Sequence, residues 1–274
     1  MKNSFKILVM LLMLCAFSFA DEFDEALEAE DTGEYTKAVQ LYEKACGKGN
    51  TQACFNAGTM YDFGDDIRKN LTKASTLYKK ACDKNHNDAC YNLALIHEDN
   101  GDYAQAIKLY KKLCDSEDTD ACFNLALIYE EGSGVKKDYA QAAKLYKLAC
   151  DKEDMDACIN LGLLYEYGGN GIKQDYAYAA KLYKTACDND YMTGCYNLAI
   201  LHEDGSGVKK DYAKAIKLYK EACDKDHGLS CNNLGLLYDE GKGVKKDINK
   251  ALELYKKSCD TGTNLGCKNY ESLK

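Results

Sequence analysis

Proline and tryptophan are absent from the 274 residues, and arginine occurs once, at Arg68. Without proline, helix boundaries have to be set by glycine, capping side chains or crosslinks. The near-absence of arginine removes the planar fork that grips phosphates through paired hydrogen bonds. The net charge is −8, and becomes −10 if Lys2 and Lys6 leave with the N-terminal segment. Such a chain is poorly equipped for a phosphate backbone, so nucleic acid is not expected as a partner. No basic amphipathic stretch suits an anionic membrane surface. Histidine is sparse as well: His86, His97, His202 and His227 stand far apart. No clustered metal-ligand set follows from them, and neither a metal nor a cofactor is expected.

Residues 1–20 open with Lys2 and Lys6, run apolar from Ile7 to Phe17 and end in Ser18-Phe19-Ala20. That is the layout of a secretory signal cut before Asp21. The apolar run is too short to span a bilayer and acids follow at once, so no membrane anchor is expected after cleavage. A lipidated Cys15 would want a small residue before it, where Leu14 stands. The remaining chain is expected to be secreted or periplasmic.

Cysteine, by contrast, is abundant. Fourteen of the fifteen lie beyond the leader and fall into seven pairs with seven residues between partners. The pairs are Cys46/Cys54, Cys82/Cys90, Cys114/Cys122, Cys150/Cys158, Cys187/Cys195, Cys223/Cys231 and Cys259/Cys267. An even count, a fixed spacing and an export signal together read as a disulfide framework. Zinc is the alternative, but its ligands usually stand two to four apart. On one continuous helix, partners eight positions apart would be separated by roughly 12 Å. A bridge tolerates no more than about 7 Å between Cα atoms, so the chain must turn back between the cysteines.

The first cysteines of successive pairs are 36, 32, 36, 37, 36 and 36 residues apart. A fixed period in this range marks a repeat array. Each unit holds two amphipathic helices. The first is expected to begin at the second cysteine of a pair, as in CFNLALIYEEG, and stops at a glycine suited to a left-handed cap. Asp138, Asp175, Asp211 and Asp247 then stand where an N-cap belongs, as does Asn70 of the triplet Asn70-Leu71-Thr72. That triplet also matches a glycosylation acceptor. In the second helix Ala, Leu and Tyr recur on one face, as at Ala142, Leu145 and Tyr146. Small residues at Gly58, Ala126, Gly162 and Gly235 let neighbouring helices approach closely. The expected layout is a leader at 1–20, a helical pair at 21–46 and a capping helix within 260–274. Six repeats lie between, at 47–82, 83–114, 115–150, 151–187, 188–223 and 224–259. The unit ending at Cys114 is short because EDNGDYAQA replaces the longer EEGSGVKKDYAQA linker.

Units such as NLALIYEEGSGVKKDYAQAAKLYKLAC, residues 124–150, resemble Sel1-like repeats, which are relatives of tetratricopeptide repeats. The paired cysteines make the chain similar to the Helicobacter cysteine-rich protein family. The resemblance covers residues 34–274 and implies an all-α, right-handed α/α solenoid of helical hairpins stapled by disulfides. It departs from ordinary tetratricopeptide repeats in lacking the proline at the repeat end, a punctuation the bridge would take over. Two functions are implied. One is a scaffold gripping an extended peptide, protein or peptidoglycan-type ligand in a concave groove. The other is a slow β-lactamase or penicillin-binding activity toward 6-aminopenicillanic and 7-aminocephalosporanic acid derivatives, with β-lactams as ligands.

The residues give the second function little support. Ser133-Gly134-Val135-Lys136 and Ser206-Gly207-Val208-Lys209 fit S-x-x-K, but both read as linker between helices. Ser230-Cys231-Asn232 fits S-x-N, and no K-T-G exists. His97 and His202 occupy the place of Tyr61, Tyr129, Tyr165 and Tyr238. They read as packed rings, with a general base beside Glu98 or Glu203 as the alternative.

One row invites a binding role. Asn56, Asn92, Asn124, Asn160, Asn197, Asn233 and Asn269 each follow a second cysteine by two. An amide donates and accepts, so a ladder of them could hold the backbone of an extended ligand. Each could equally satisfy a group at the repeat junction. Seven residues on, nearly two turns, lie Asp99, Glu131, Asp204 and Glu240, with Phe63 and Tyr167 in two other units.

Overall fold

The computed structural model describes residues 21–64, 67–169 and 171–274, so the leader and Cys15 lie outside the described residues. Helices pair along the chain as α1 (Glu22–Asp31) with α2 (Tyr35–Gly47), α3 (Thr51–Phe63) with α4 (Leu71–Cys82), and α5 (Asn87–Asp99) with α6 (Tyr103–Cys114). They continue as α7 (Thr119–Glu131) with α8 (Tyr139–Cys150), α9 (Met155–Tyr167) with α10 (Tyr176–Asp188), and α11 (Met192–Asp204) with α12 (Tyr212–Asp224). Helix α13 (Gly228–Glu240) pairs with α14 (Ile248–Asp260), and α15 (Asn264–Leu273) follows alone. Among the described residues the one extended pairing is an isolated bridge between Gly169 and Ile172. The chain is an all-α solenoid of helical hairpins. Its helices fall into two compact units, one ending at Leu113 and the other beginning at Cys114.

Local chemistry explains these boundaries. Asp138, Asp175, Asp211 and Asp247 each accept a hydrogen bond from the backbone N–H three residues on, opening α8, α10, α12 and α14. Asn70 does the same for α4. The first helix of most hairpins has a cap too: Asn50, Asp118 and Asp154 use side-chain oxygens, while His86 and His227 use a ring nitrogen. Such caps satisfy N–H groups that have no partner inside the helix. Gly64, Gly132, Gly205 and Gly241 end α3, α7, α11 and α13 in the left-handed conformation, with φ between 72° and 79°. Only glycine adopts it without a Cβ penalty.

The cap at His227 makes a pH prediction. Its Nδ1 accepts from the Ser230 backbone N–H at 3.3 Å and lies 2.8 Å from Ser230 Oγ. Burial holds this imidazole below its usual value of 6.5. A protonated ring cannot accept, and the unfolded chain takes up the proton first as pH falls. The resulting stability is therefore full above about 6.5 and is lost as pH falls from there through the folded value. In denaturant melts, wild type should lose about 1 kcal/mol relative to His227→Asn over this window. Parallel pH responses of the two proteins would refute the assignment.

The core repeats with the hairpins. Tyr42, Tyr78, Tyr110, Tyr146, Tyr183 and Tyr219 are completely buried, and Tyr255 nearly so. Each lies on the second helix of its hairpin, beside buried alanines such as Ala142 and Ala149 around Tyr146. In five of the seven hairpins an aromatic ring on the first helix packs against it, as Phe123 does 5.6 Å from Tyr146 and Tyr196 6.0 Å from Tyr219, while Ile159 and Asn232 stand at that place in the other two. Space for the tyrosine comes from the small residue expected to allow close approach. A Cβ on Gly162 would stand 2.5 Å from the Tyr183 ring, and one on Gly58 2.7 Å from Tyr78. Ala94, Ala126 and Ala199 fill the same place in other hairpins.

All seven expected cysteine pairs are bridged, with Cα–Cα distances of 4.5 to 4.7 Å. They are Cys46–Cys54, Cys82–Cys90, Cys114–Cys122 and Cys150–Cys158, then Cys187–Cys195, Cys223–Cys231 and Cys259–Cys267. Each bridge closes the turn from the second helix of one hairpin to the helix that follows.

The second cysteines do not open their helices, as the sequence had suggested. Cys54, Cys90, Cys122 and Cys267 each lie three residues inside α3, α5, α7 and α15, and Cys158, Cys195 and Cys231 sit likewise in α9, α11 and α13. In five of the seven the reason is a side-chain cap, whereas α11 and α15 start after Tyr191 and Thr263 without one. Asn50, His86 and Asp118 stand four residues before Cys54, Cys90 and Cys122 and start the helix there, which shortens the turn and brings the sulfurs together one helical turn in. That depth also buries Cys54, Cys90 and Cys122, while Cys267 on the last helix is half-buried. The shortened turn needs one residue at positive φ, three after the first cysteine. Gly49 and Gly262 supply it at two turns, and Asn85, Glu117, Glu153, Asp190 and Asp226 adopt φ of 62° to 67° at the others.

Candidate functional site

The amide row lies on the first helices and is tied to the buried tyrosines. Asn160 donates to the Tyr146 hydroxyl at 3.5 Å, and Asn233 to the Tyr219 hydroxyl at 3.3 Å. Asn56 and Asn92 stand in the same relation to Tyr42 and Tyr78. Each amide thus reaches back to the tyrosine of the preceding hairpin. Asn124 and Asn197 are half-buried like the rest. Asn197 makes no side-chain hydrogen bond among the described residues, and Asn269 donates instead to Asn232 Oδ1 at 2.7 Å. The junction role weighed for this row therefore applies to Asn56, Asn92, Asn160 and Asn233.

Six of the seven tyrosine hydroxyls also donate to a carboxylate, a partnership that the sequence pattern did not reveal. Tyr42 donates to Glu30 at 2.5 Å, Tyr110 to Glu98 at 2.8 Å, Tyr146 to Glu130 at 2.6 Å and Tyr183 to Glu166 at 2.7 Å. Tyr219 donates to Glu203 at 3.1 Å and Tyr78 to Asp62 at 3.3 Å. Burial and the adjacent carboxylate push the hydroxyls of Tyr146 and Tyr183 far above their usual range, so they remain donors. Burial raises Tyr78 to about 12. Burial also raises the Glu203 carboxyl, partly offset by the hydrogen bond from Tyr219. From Asp62 onward, an acid stands six residues after the asparagine in each of these hairpins, one before the position singled out earlier. That later position is exposed: Phe63 is 66% and Tyr167 74% accessible, and Asp99, Glu131, Asp204 and Glu240 face solvent.

In the first unit this face holds a pocket of about 310 Å³, lined by Glu30, Tyr35, Phe55, Asn56, Met60 and Phe63 among others. Aromatic and thioether walls with one amide and one carboxylate suit an apolar side chain presented by a polar backbone.

No catalytic set assembles among the described residues. Ser133 and Ser206 lie in the loops after α7 and α11, not at a helix start, and Ser133 Oγ lies 3.2 Å from Glu131. His97 lies 3.4 Å from Asp102 and His202 3.3 Å from the Lys209 carbonyl, while the neighbouring Glu98 and Glu203 hold tyrosines. Cys187, Cys195 and Glu221 come within 4.8 Å of one another, but the two sulfurs are joined in a bridge. No described helix is long and apolar enough to cross a membrane.

Comparison with known proteins agrees with this geometry. The Sel1 repeat profile matches residues 32–50, 51–86, 119–154, 156–191, 193–227 and 228–262, well over half of the chain. The short segment 87–118 matches a tetratricopeptide repeat instead. No curated protein matches the sequence. Among solved structures, the chain is similar to a protective antigen of uropathogenic Escherichia coli that displays an SLR fold, at 28% identity and a TM-score of 0.76 over 87% of this chain. The match spans about half, 52%, of that antigen. A Sel1 repeat protein from Oxalobacter formigenes is similar at 28% identity and a TM-score of 0.68, covering 87% of this chain and 99% of that one. Cysteine rich protein B of Helicobacter pylori is 30% identical over 49% of this chain and 96% of its own, with a TM-score of 0.40. Recurring helical hairpins, buried tyrosines under small residues and this profile match lead to one statement: the chain belongs to the Sel1 repeat family.

Proposed function

We propose that the protein is an exported repeat scaffold that holds an extended peptide, or a peptide-bearing cell-wall fragment, along the amide row of its first helices. The observation carrying this reading is Asn56. Its Oδ1 accepts from Gln52 at 2.9 Å, it stands beside the Tyr42 hydroxyl, and it lines a pocket walled by Phe55 and Phe63. An amide so positioned keeps hydrogen-bonding capacity for a ligand backbone while the pocket takes a side chain. Seven bridges support export, because disulfides persist in oxidising compartments. Nothing in the site favours β-lactam hydrolysis.

The test is a screen of immobilised peptides and muropeptides with the oxidised protein, followed by titration of the hits. Phe63→Ala should weaken binding about tenfold or more with the melting temperature held within a few degrees, and Asn56→Ala should weaken it as much while costing about 1 kcal/mol of stability for the lost Tyr42 bond. Phe63 is exposed, so its loss leaves the core intact. Hits that bind both variants as tightly as wild type would refute the reading.

A further inference from the structure

A second surface shares no residue with the amide row. In the second unit, α10, α11 and α12 enclose a groove of about 890 Å³. Its floor is apolar, with Ala180, Leu198, Val208 and Leu218. Lys181 rises on one wall, and Lys214 and Lys217 on the other. These three are exposed and make no ion pair among the described residues, whereas Lys184 and Lys220 on the same helices are neutralised by Asp188 and Asp224. Two of the groove's acids are also occupied, Asp188 by Lys184 and Asp190 by Lys225, which leaves Glu221 beside the Cys187–Cys195 bridge. One repeat earlier the construction recurs on a smaller scale. Lys144, Lys173 and Ile172 line a space of about 560 Å³ against α8.

We propose that this groove is a docking site for an acidic peptide whose apolar side chains alternate with carboxylates. The argument is charge complementarity over an apolar floor. Free ammonium groups on facing walls fit carboxylates on either side of a buried anchor, and the repeated construction fits an extended rather than a compact ligand. The net charge of −8 repels an anionic bilayer, which would see the whole surface and not the groove alone.

Fluorescence anisotropy with a short labelled peptide of alternating leucine and glutamate tests this. Wild type should bind it, more weakly as salt rises, and should not bind the same peptide with lysine for glutamate. The double variant Lys181→Glu/Lys217→Glu should bind at least about tenfold more weakly, because two attractions become repulsions. Neither side chain has an ion-pair partner to lose, so circular dichroism and melting should be unchanged. Asn160→Ala, on the amide row, should bind this probe as wild type does, which separates the two surfaces. No binding by wild type, equal binding of the lysine peptide, or an unaffected, folded double variant would each overturn the proposal. Capture of phosphatidylglycerol vesicles in place of the peptide would overturn it as well.

Discussion

Full reduction should lower the thermal midpoint of helix loss by more than about 20 °C, or leave the chain largely unfolded at room temperature. Each bridge closes a small ring between partners eight positions apart, worth about 2.5 kcal/mol in the chain-entropy model. Seven such terms would together exceed the roughly 5–15 kcal/mol typical of a whole domain. The effect is large because a repeat array has little else to unite it: each hairpin contacts only its neighbours. The single-bridge variant Cys150→Ala/Cys158→Ala should lose about 2.5 kcal/mol, measured by urea titration under oxidising conditions. Coincident melts with and without reductant would show that hairpin packing, not the bridges, supplies the stability.

Tyr183→Ala should cost about 4 kcal/mol, the other large effect. The ring is fully buried against Gly162, whose missing Cβ provides its space, so truncation leaves a cavity between two helices. It also strips Glu166 of the hydroxyl that donates to it at 2.7 Å. Tyr183→Phe isolates this second part and should cost about 1 kcal/mol. A Phe variant as unstable as the Ala variant would place the weight on the hydrogen bond instead.

Much of this was legible from the residues. Cysteine spacing and repeat period specify the bridges and the hairpins, and Asp138, Asp175, Asp211 and Asp247 cap the helices as their position implies. The amide row was legible as a pattern but not as a set of contacts. Following the helix seven residues on from each asparagine leads to the same exposed face and to Phe63 and Tyr167. Six residues on, the side chain turns toward the neighbouring second helix, where Glu130 and Glu166 meet the tyrosines. The acid at that place was visible in the sequence. Its meaning was not, because a hydroxyl partner 16 or 17 residues later becomes visible only once the hairpin is closed. The first-helix caps at His86 and His227 were hidden for another reason: a histidine cap lacks the compositional signature of Asp or Asn. Cys90 and Cys231 read as helix starts, as did Cys54, Cys122 and Cys158 behind Asn50, Asp118 and Asp154, when each lies a turn inside.

The short reach of every bridge has a consequence for a chain attacked by proteases. The seven covalent rings enclose the turns between hairpins and none spans the linkers within them. A cut at Glu153, inside the ring of Cys150 and Cys158, leaves both fragments tethered through sulfur. A cut at Lys136, between α7 and α8, leaves no covalent bond across the break. The chain therefore has two kinds of joint: clasped corners that survive a nick, and open hinges where one cleavage divides the molecule.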